Sequence, residues 1–460
     1  MIVTIMAVKF IDRREELELL EKLCSESRAH LVVVYGRRRV GKTRLLLEFL
    51  QGRKGLYIYV PRGGPETVLE ELSRSVEKEF FKGFRFTSFH AFLEYLASKL
   101  EQGFVVAIDE FQRLVEVEGA LSLLQKFWDE RFSRTRSTLI LAGSAIGAVV
   151  RVALRGDAPL YGRRTAVLKL EPLGFAGLLE WFERLDPMDV VKLYGIFGGT
   201  PAYLELVDER KSPEDNAVEL VLSKRGPLHE EPVYLLMEEL RAPARYMDIL
   251  GAIAQGRTTL SEIANAAGLR RENATTYLSY LELLGLVDRE KPLLGKGRAR
   301  HTLKDPFFAF WFRFVWPNLG ALEAGLEREI WASQAEGFNA YLGWVFERVA
   351  REFVAQTART GELPFRPSAL GSWWGSGEEI DIVALSPKEG AALLAEVKWS
   401  ALSAREARST LARLTEKAAS LAVREKVYGL IARSVEGKDE LRKMGYVVYD
   451  LGDICALMQR

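Results

Sequence analysis

The run Gly36-Arg37-Arg38-Arg39-Val40-Gly41-Lys42-Thr43 is the segment best equipped for chemistry in this 460-residue chain. Its two glycines let backbone N–H groups wrap around phosphate oxygens, and a helix starting at the loop adds the positive end of its dipole. In that arrangement Lys42 reaches the β- and γ-phosphates of ATP, and the Thr43 hydroxyl holds Mg2+. Arg44 opens the following helix and is grouped with the loop as nucleotide-binding. Arg37, Arg38 and Arg39 are expected to face solvent, with phosphate holding as the other option.

Asp109-Glu110 form a second reactive pair, directly after the apolar run Phe104-Val-Val-Ala-Ile108. An acidic residue at the C-terminal end of a core strand is where Mg2+ and water need a ligand. Asp109 is expected in the Mg2+ shell. Glu110 is placed to polarise the attacking water, which separates hydrolysis from mere nucleotide binding. A helix N-cap pair is the competing reading. Ser144, after the strand-like Ser137–Ala142, either senses the γ-phosphate or caps a helix. Arg163, preferred over Arg164, either neutralises transition-state charge, in cis or from a neighbouring subunit, or is a surface cation.

A third constellation lies near the C-terminus. Glu379-Ile-Asp381-Ile-Val-Ala384 and Ala392-Leu-Leu-Ala-Glu396-Val-Lys398-Trp399 read as strands. Side chains alternate along a strand, so Glu396 and Lys398 share a face, and Asp381 on an adjacent strand can join them. Asp381 and Glu396, with Glu347 from the amphipathic stretch Phe338–Phe353, can hold Mg2+, while Lys398 orients or deprotonates a water attacking phosphate. A buried ion-pair network without catalysis is the alternative. Trp373-Trp374-Gly-Ser-Gly377 reads as a turn, and segments 426–431 and 446–451 as further strands.

These residues need particular elements behind them. Leu31-Val-Val-Val-Tyr35 has the continuous β-branched character of a buried parallel strand, and Arg44–Leu50 continues as a helix. A helical lid is expected over residues 171–240. Tyr246–Ala254, Thr259–Ala267 and Glu272–Leu284 read as three helices, followed by a hairpin whose tip carries Lys296, Arg298 and Arg300. This pattern predicts a winged helix-turn-helix. From Arg241 to Lys304 there are eleven Lys/Arg against six Asp/Glu, whereas the full chain has net charge +1. In the DNA-binding reading, Arg270, Arg271, Asn273 and Thr275 begin the recognition helix and the hairpin touches backbone phosphate. A protein-contact winged helix is the alternative. The aromatic run Asp305–Trp316 is expected to be buried packing.

Phe10-Ile-Asp-Arg-Arg-Glu-Glu-Leu17, the phosphate loop, Ile108-Asp-Glu-Phe-Gln112, Leu160-Tyr-Gly-Arg163 and Phe197-Gly-Gly-Thr-Pro201 together resemble the archaeal ATPase family of the AAA+/STAND-like P-loop class. The resemblance implies that Asp12 and Arg13 lie close to the nucleotide. Asp381, Glu396-Val-Lys398 and Glu347 likewise resemble the PD-(D/E)xK nuclease superfold. The expected fold class is α/β: a P-loop NTPase with parallel sheet (1–170) and helical lid (171–240), then a winged helix-turn-helix (241–316), then an α/β restriction-endonuclease-like domain (317–460). The function this predicts is an ATP-regulated, DNA-binding ATPase with a nuclease-like C-terminal domain. A STAND-type signalling or scaffold ATPase that binds protein and cuts nothing is the runner-up.

Composition narrows the classes further. Hydrophobic residues make up 48% and charged residues 28%, which fits a chain with sizeable cores. Cys24 and Cys455 are far apart in sequence and there are four histidines, so neither a disulfide framework nor a histidine-rich metal site is expected. Met1–Val8 is apolar but has no basic region or cleavage site, so it is not read as a signal peptide. No uncharged apolar run reaches the ~18 residues of a membrane span. A cytoplasmic protein binding ATP or ADP and Mg2+, with DNA, a protein partner or a second copy as further partners, is the expectation.

Overall fold

The computed structural model describes residues 9–240, 242–375 and 377–459, so the reading of Met1–Val8 lies outside the described residues, as do Arg241 and Ser376. The chain divides into two compact units, one ending at Pro172 and the other beginning at Leu173. Among the described residues no helix is long and apolar enough to cross a membrane.

The first unit is built on five strands: β1 (His30–Tyr35), β2 (Gly55–Tyr59), β3 (Val105–Asp109), β4 (Thr138–Gly143) and β5 (Ala166–Lys169). Their order is β2-β3-β4-β1-β5, and every pairing is parallel. Strand alternation explains why β1 is apolar throughout. Leu31 and Val33 enter one core with residues of the helices Pro65–Val76, Phe89–Glu101 and Ala120–Glu130. Val32 and Val34 enter the opposite core with Leu20, Leu45, Leu46 and Phe49. The turn after β1 admits only glycine at its first position, because a Cβ on Gly36 would lie 2.2 Å from the Leu170 carbonyl oxygen.

The second unit begins with helices Phe175–Trp181, Pro187–Phe197, Pro201–Leu204, Pro213–Ala217 and Glu231–Glu239. Helices Pro243–Ala254, Leu260–Ala266 and Arg271–Leu283 follow, with the antiparallel pair β6 (Val287–Glu290) and β7 (Arg300–Leu303). Thr259 starts the middle helix through a capping box with Glu262. The aromatic run is packing, as expected: Phe307, Phe308, Phe310, Trp311, Phe312 and Phe314 are buried. Tyr341 ties it to the rest by donating to the Gly195 and Pro306 carbonyls at 2.8 and 2.9 Å.

The long helix Ala335–Thr360 leads to a five-stranded sheet of β8 (Ala369–Gly375), β9 (Glu378–Ser386), β10 (Ala391–Leu402), β11 (Glu425–Val435) and β12 (Val447–Asp450). Its order is β12-β11-β10-β9-β8; β8, β9 and β10 pair antiparallel, and β10, β11 and β12 pair parallel. Here one expectation is corrected. Trp373 and Trp374 are not in a turn but in β8, opposite Ile380 and Glu379. Trp373 fills the core under this sheet and Trp374 lies against the β6–β7 loop, so both indoles are covered.

Gly36→Ala would force the Leu170 backbone away from the phosphate loop. An overpacking cost of about 1–3 kcal/mol is expected. The check is the denaturant midpoint together with nucleotide affinity, both of which should fall.

Candidate active site

β1 delivers the phosphate loop to the C-terminal edge of the sheet, and β3 delivers Asp109 to the same edge. Gly41 has φ 95°, a left-handed conformation that glycine takes without strain, and the helix Lys42–Leu50 starts immediately after it. Lys42 is buried and donates to the Gly36 and Arg37 carbonyls at 2.8 and 2.6 Å, so its ammonium lies in the concavity of the loop. Thr43 Oγ1 donates to Asp109 Oδ2 at 2.6 Å, and the Tyr57 hydroxyl donates to the same oxygen at 3.0 Å. Burial raises the Asp109 carboxyl above its usual range, against the lowering effect of the Thr43 and Tyr57 hydrogen bonds. A hydroxyl and a carboxylate sharing one hydrogen bond are a donor set that suits Mg2+.

Glu110 sits beside this pair on left-handed backbone, φ 58°. For a residue with a Cβ that conformation is strained, and such strain concentrates at functional sites. One carboxylate oxygen, Oε2, accepts from Gln112 Nε2 at 2.6 Å and from Ser144 Oγ at 2.8 Å, with Arg113 3.4 Å away. The N-cap reading of Asp109-Glu110 therefore gives way, since Glu110 makes no side-chain cap bond. The cap reading of Ser144 gives way too, because its hydroxyl is spent on Glu110 and Ala145 is the N-cap residue of the next helix.

Around the loop, Arg13 is buried and donates to the carbonyls of Val40 and Glu171 at 3.2 and 2.7 Å, clamping the loop backbone. Asp12 is exposed with φ 50°. Arg44 pairs with Glu48 at 2.9 Å and lies over the Phe10 ring. Arg37 is 5% exposed, which corrects the solvent-facing expectation for it; Arg39 is exposed. Burial follows from its place between the end of β1 and the loop that Arg13 clamps. Arg163 forms a bidentate pair with Asp129 at 2.7 and 2.6 Å, and Arg164 stacks on Tyr161. Tyr57 and Gln112 were missed by sequence reasoning. Alternation in Gly55-Leu-Tyr-Ile-Tyr59 was the available signal for the first, and proximity to Asp109-Glu110 for the second.

The C-terminal constellation also assembles. The β9–β10 ladder ends at Ile382 opposite Ala395, and beyond it the Asp381 side chain takes over by accepting from Val397 N at 2.7 Å. Lys398 Nζ lies 2.7 Å from Glu396 Oε2 and 3.5 Å from Asp381 Oδ2. Lys417, unremarked in the sequence, reaches Glu396 Oε1 at 2.7 Å from the last turn of the helix Ala404–Ala418. Burial would raise the Glu396 carboxyl, but these two ammonium groups outweigh it and hold the carboxyl low. Burial raises Asp381, against Lys398. Glu347 is pushed up to about 8 by burial and then by the charges of Asp381 and Glu379. Among the described residues no three His, Cys, Asp or Glu side chains are spaced to hold a metal ion.

Of the remaining basic and polar candidates, Arg270, Arg271, Asn273 and Thr275 are exposed at the start of the helix Arg271–Leu283. Lys296 and Arg298 are exposed in the β6–β7 loop. Arg300 is engaged: it pairs with Glu379 at 2.8 Å and stacks on Trp374. Leu293 N donates to the Ser372 carbonyl at 3.0 Å, and Trp374 Nε1 donates to the Arg298 carbonyl at 3.2 Å. The loop is thus strapped to β8 and β9.

Comparison with known proteins points the same way for the first site. Residues 10–207 match a family described as an ATPase domain predominantly from Archaea, and residues 311–410 match one described as Archaea bacterial proteins of unknown function. An uncharacterized protein of Methanocaldococcus jannaschii is 34% identical over 439 residues, covering 94% of this chain and 97% of that one. An uncharacterized ATP-binding protein of the same organism is 53% identical over 47 residues, 10% of this chain and 80% of that one. Among solved structures, the Walker-type ATPase of Pyrococcus abyssi overlays with a TM-score of 0.51 at 22% identity, covering 66% of this chain and 96% of that one.

Glu347 yields a pH prediction. Its folded-state value near 8 lies above the ordinary 4.5, so the folded protein holds that proton more tightly than the unfolded chain. The resulting stability is full below the ordinary value and is lost as pH rises through about 8. Glu347→Gln should therefore leave the melting temperature nearly unchanged in mild acid and raise it relative to wild type in mild alkali.

Proposed function

The chain belongs to an archaeal family of P-loop ATPases, and from that premise we propose that it is a Mg2+-dependent ATPase whose nucleotide state governs a DNA-directed C-terminal half. The observation that carries the hydrolytic reading is Glu110, held on strained backbone by Gln112 and Ser144 beside the Thr43–Asp109 pair. The loop N–H groups and Lys42 bind the phosphates. Thr43 and Asp109 hold Mg2+, which supplies charge neutralisation on the phosphate oxygens. Glu110 accepts a hydrogen bond from the attacking water and aims it. Gln112 and Ser144 fix the carboxylate, and in this reading Ser144 would sense the γ-phosphate through its bond to Glu110. Arg163 in this reading would leave Asp129 to meet the transition-state charge.

Three helices and an antiparallel hairpin support a winged helix-turn-helix. The exposed Arg270, Arg271, Asn273 and Thr275 favour DNA as its partner, with Lys296 and Arg298 on phosphate. The C-terminal strand order, with Asp381, Glu396 and Lys398 on neighbouring strands, supports a PD-(D/E)xK-like domain. Asp381 and Glu396 offer the oxygen donors that Mg2+ prefers, and Lys398 would orient water at a phosphodiester. Glu347, protonated near neutral pH, would serve as a ligand only after losing its proton. A second reading, a scaffold ATPase that binds protein and cuts nothing, is favoured by one observation: both oxygens of Glu396 are taken by lysines.

Lys42→Ala should abolish nucleotide binding or turnover, and an unaltered ATPase rate would remove the site assignment. Glu110→Gln should keep ATP binding and lower turnover by about 10²-fold or more; equal turnover would take Glu110 out of its role. Plasmid incubated with Mg2+ or Mn2+, with and without ATP, should be nicked by wild type and not by Asp381→Ala. Nicking by both would point elsewhere, and nicking by neither would favour the scaffold. A mobility shift that weakens with salt and with the Arg270→Ala/Arg271→Ala pair tests the DNA contact.

A further inference from the structure

We infer that Lys417 is a resident counter-cation of the C-terminal acidic site, and that a divalent metal ion binds there by displacing it from Glu396. The inference rests on the metal-site reading of Asp381 and Glu396 given above and adds a residue that controls access to it.

Glu396 is 5% exposed, so its charge needs a partner wherever it stays ionised. It has two. Lys398 occupies Oε2 and Lys417 occupies Oε1, each at 2.7 Å. With both oxygens engaged by ammonium groups, the site is neutralised without a metal. Among the described residues no acidic trio stands at metal-holding spacing in this arrangement. A metal ion can use Glu396 only if one lysine yields.

The two lysines are not equivalent. Lys398 belongs to the same strand as Glu396 and also faces Asp381 at 3.5 Å, so its departure would strip two carboxylates at once. Lys417 comes from a separate element, the helix Ala404–Ala418, and also donates to the neutral Glu379 carbonyl at 3.1 Å. Both ammonium groups can reach water, the Lys417 side chain being 29% exposed and that of Lys398 39%, so what separates them is that Lys417 neutralises one carboxylate and Lys398 two. Lys417 is therefore the exchangeable cation, and Lys398 the permanent one. The strand position that anchors Lys417 is itself pinned, since Arg300 of the hairpin holds the Glu379 carboxylate at 2.8 Å.

The test uses the full-length, nucleotide-free protein and Mn2+ as the probe, followed by electron paramagnetic resonance and by the Mn2+-induced shift in melting temperature. Removing a competing charge-assisted bond should tighten Mn2+ binding by about ten- to a hundredfold in Lys417→Met. The tightening should vanish in Lys417→Met/Asp381→Asn. Lys417→Gln, which keeps a hydrogen-bond donor, should tighten binding in the same direction and guards against a folding defect in the methionine variant. Asp381-dependent Mn2+ binding that is equal or weaker in both Lys417 variants overturns the exchange and leaves the metal site standing. No Asp381-dependent binding in any of these proteins removes the metal site, and the exchange with it.

Discussion

The hydrogen bond from Thr43 to Asp109 joins the end of the phosphate loop to the end of β3, although β4 stands between their strands. Asp109 is 2% exposed, so its carboxylate survives there only because it is hydrogen-bonded. Tyr57 from β2 and the N–H of Glu110 supply further bonds, so a helix, a second strand and the turn after β3 together satisfy one carboxylate. A sheet that slipped in register at β2 or β3 would bury an unsatisfied charge. The residue proposed to meet Mg2+ thus also penalises misassembly of the sheet. Glu110 inherits its position from this anchor: its own N–H donates to Asp109 Oδ1 at 2.9 Å, which holds the left-handed turn that aims its carboxylate.

The nucleotide site was legible because its signal is local. Glycines at Gly36 and Gly41, a lysine and a hydroxyl follow an apolar strand within a few residues, and local chemistry dictates local geometry. Asp109-Glu110 were legible for the same reason. Tyr57, Gln112 and Lys417 were not, because each acts through a partner far along the chain or through an orientation that spacing does not specify. Lys417 is in the last turn of a helix that a capping box at Ser403 and Glu406 announces, yet nothing in that pattern says which carboxylate it faces. Trp373-Trp374 failed differently. Two adjacent indoles followed by glycine resemble a turn, and only the hairpin loop lying over Trp374 makes a strand with both faces covered.

At the C-terminal site the electrostatics are arranged in opposition. Glu396 is held ionised by two lysines, while Glu347 is pushed up to about 8 by burial and by Asp381 and Glu379, against the weaker pull of Lys398 and Arg351. Neighbouring carboxylates with opposite shifts are a familiar way to keep one group charged and another protonated at the same pH. Here the division follows from element geometry. Glu396 and Lys398 share one face of β10, whereas Glu347 comes from a helix and meets the negative charges of Asp381 and Glu379.

The β6–β7 loop shows why charge counts identify a basic patch but not its partner. Lys296, Arg298 and Arg300 cluster at a hairpin tip, and on electrostatics alone each would serve equally on a phosphate backbone. What separates them is apolar. Leu293 and Leu294 pack, partly buried, against the core of the C-terminal sheet, and that packing brings Arg300 onto Glu379 and Trp374 while leaving Lys296 and Arg298 exposed. Both leucines are partly buried, so each is worth less than the ~1.5–3 kcal/mol of a fully buried one, and the two together still outweigh an exposed ion pair at about 0–1 kcal/mol. The leucines therefore fix where the loop lies, and the arginine follows. A polyanion approaching this hairpin would compete for Arg300 only against a half-exposed carboxylate and an indole, while the leucines would keep the loop seated on β8.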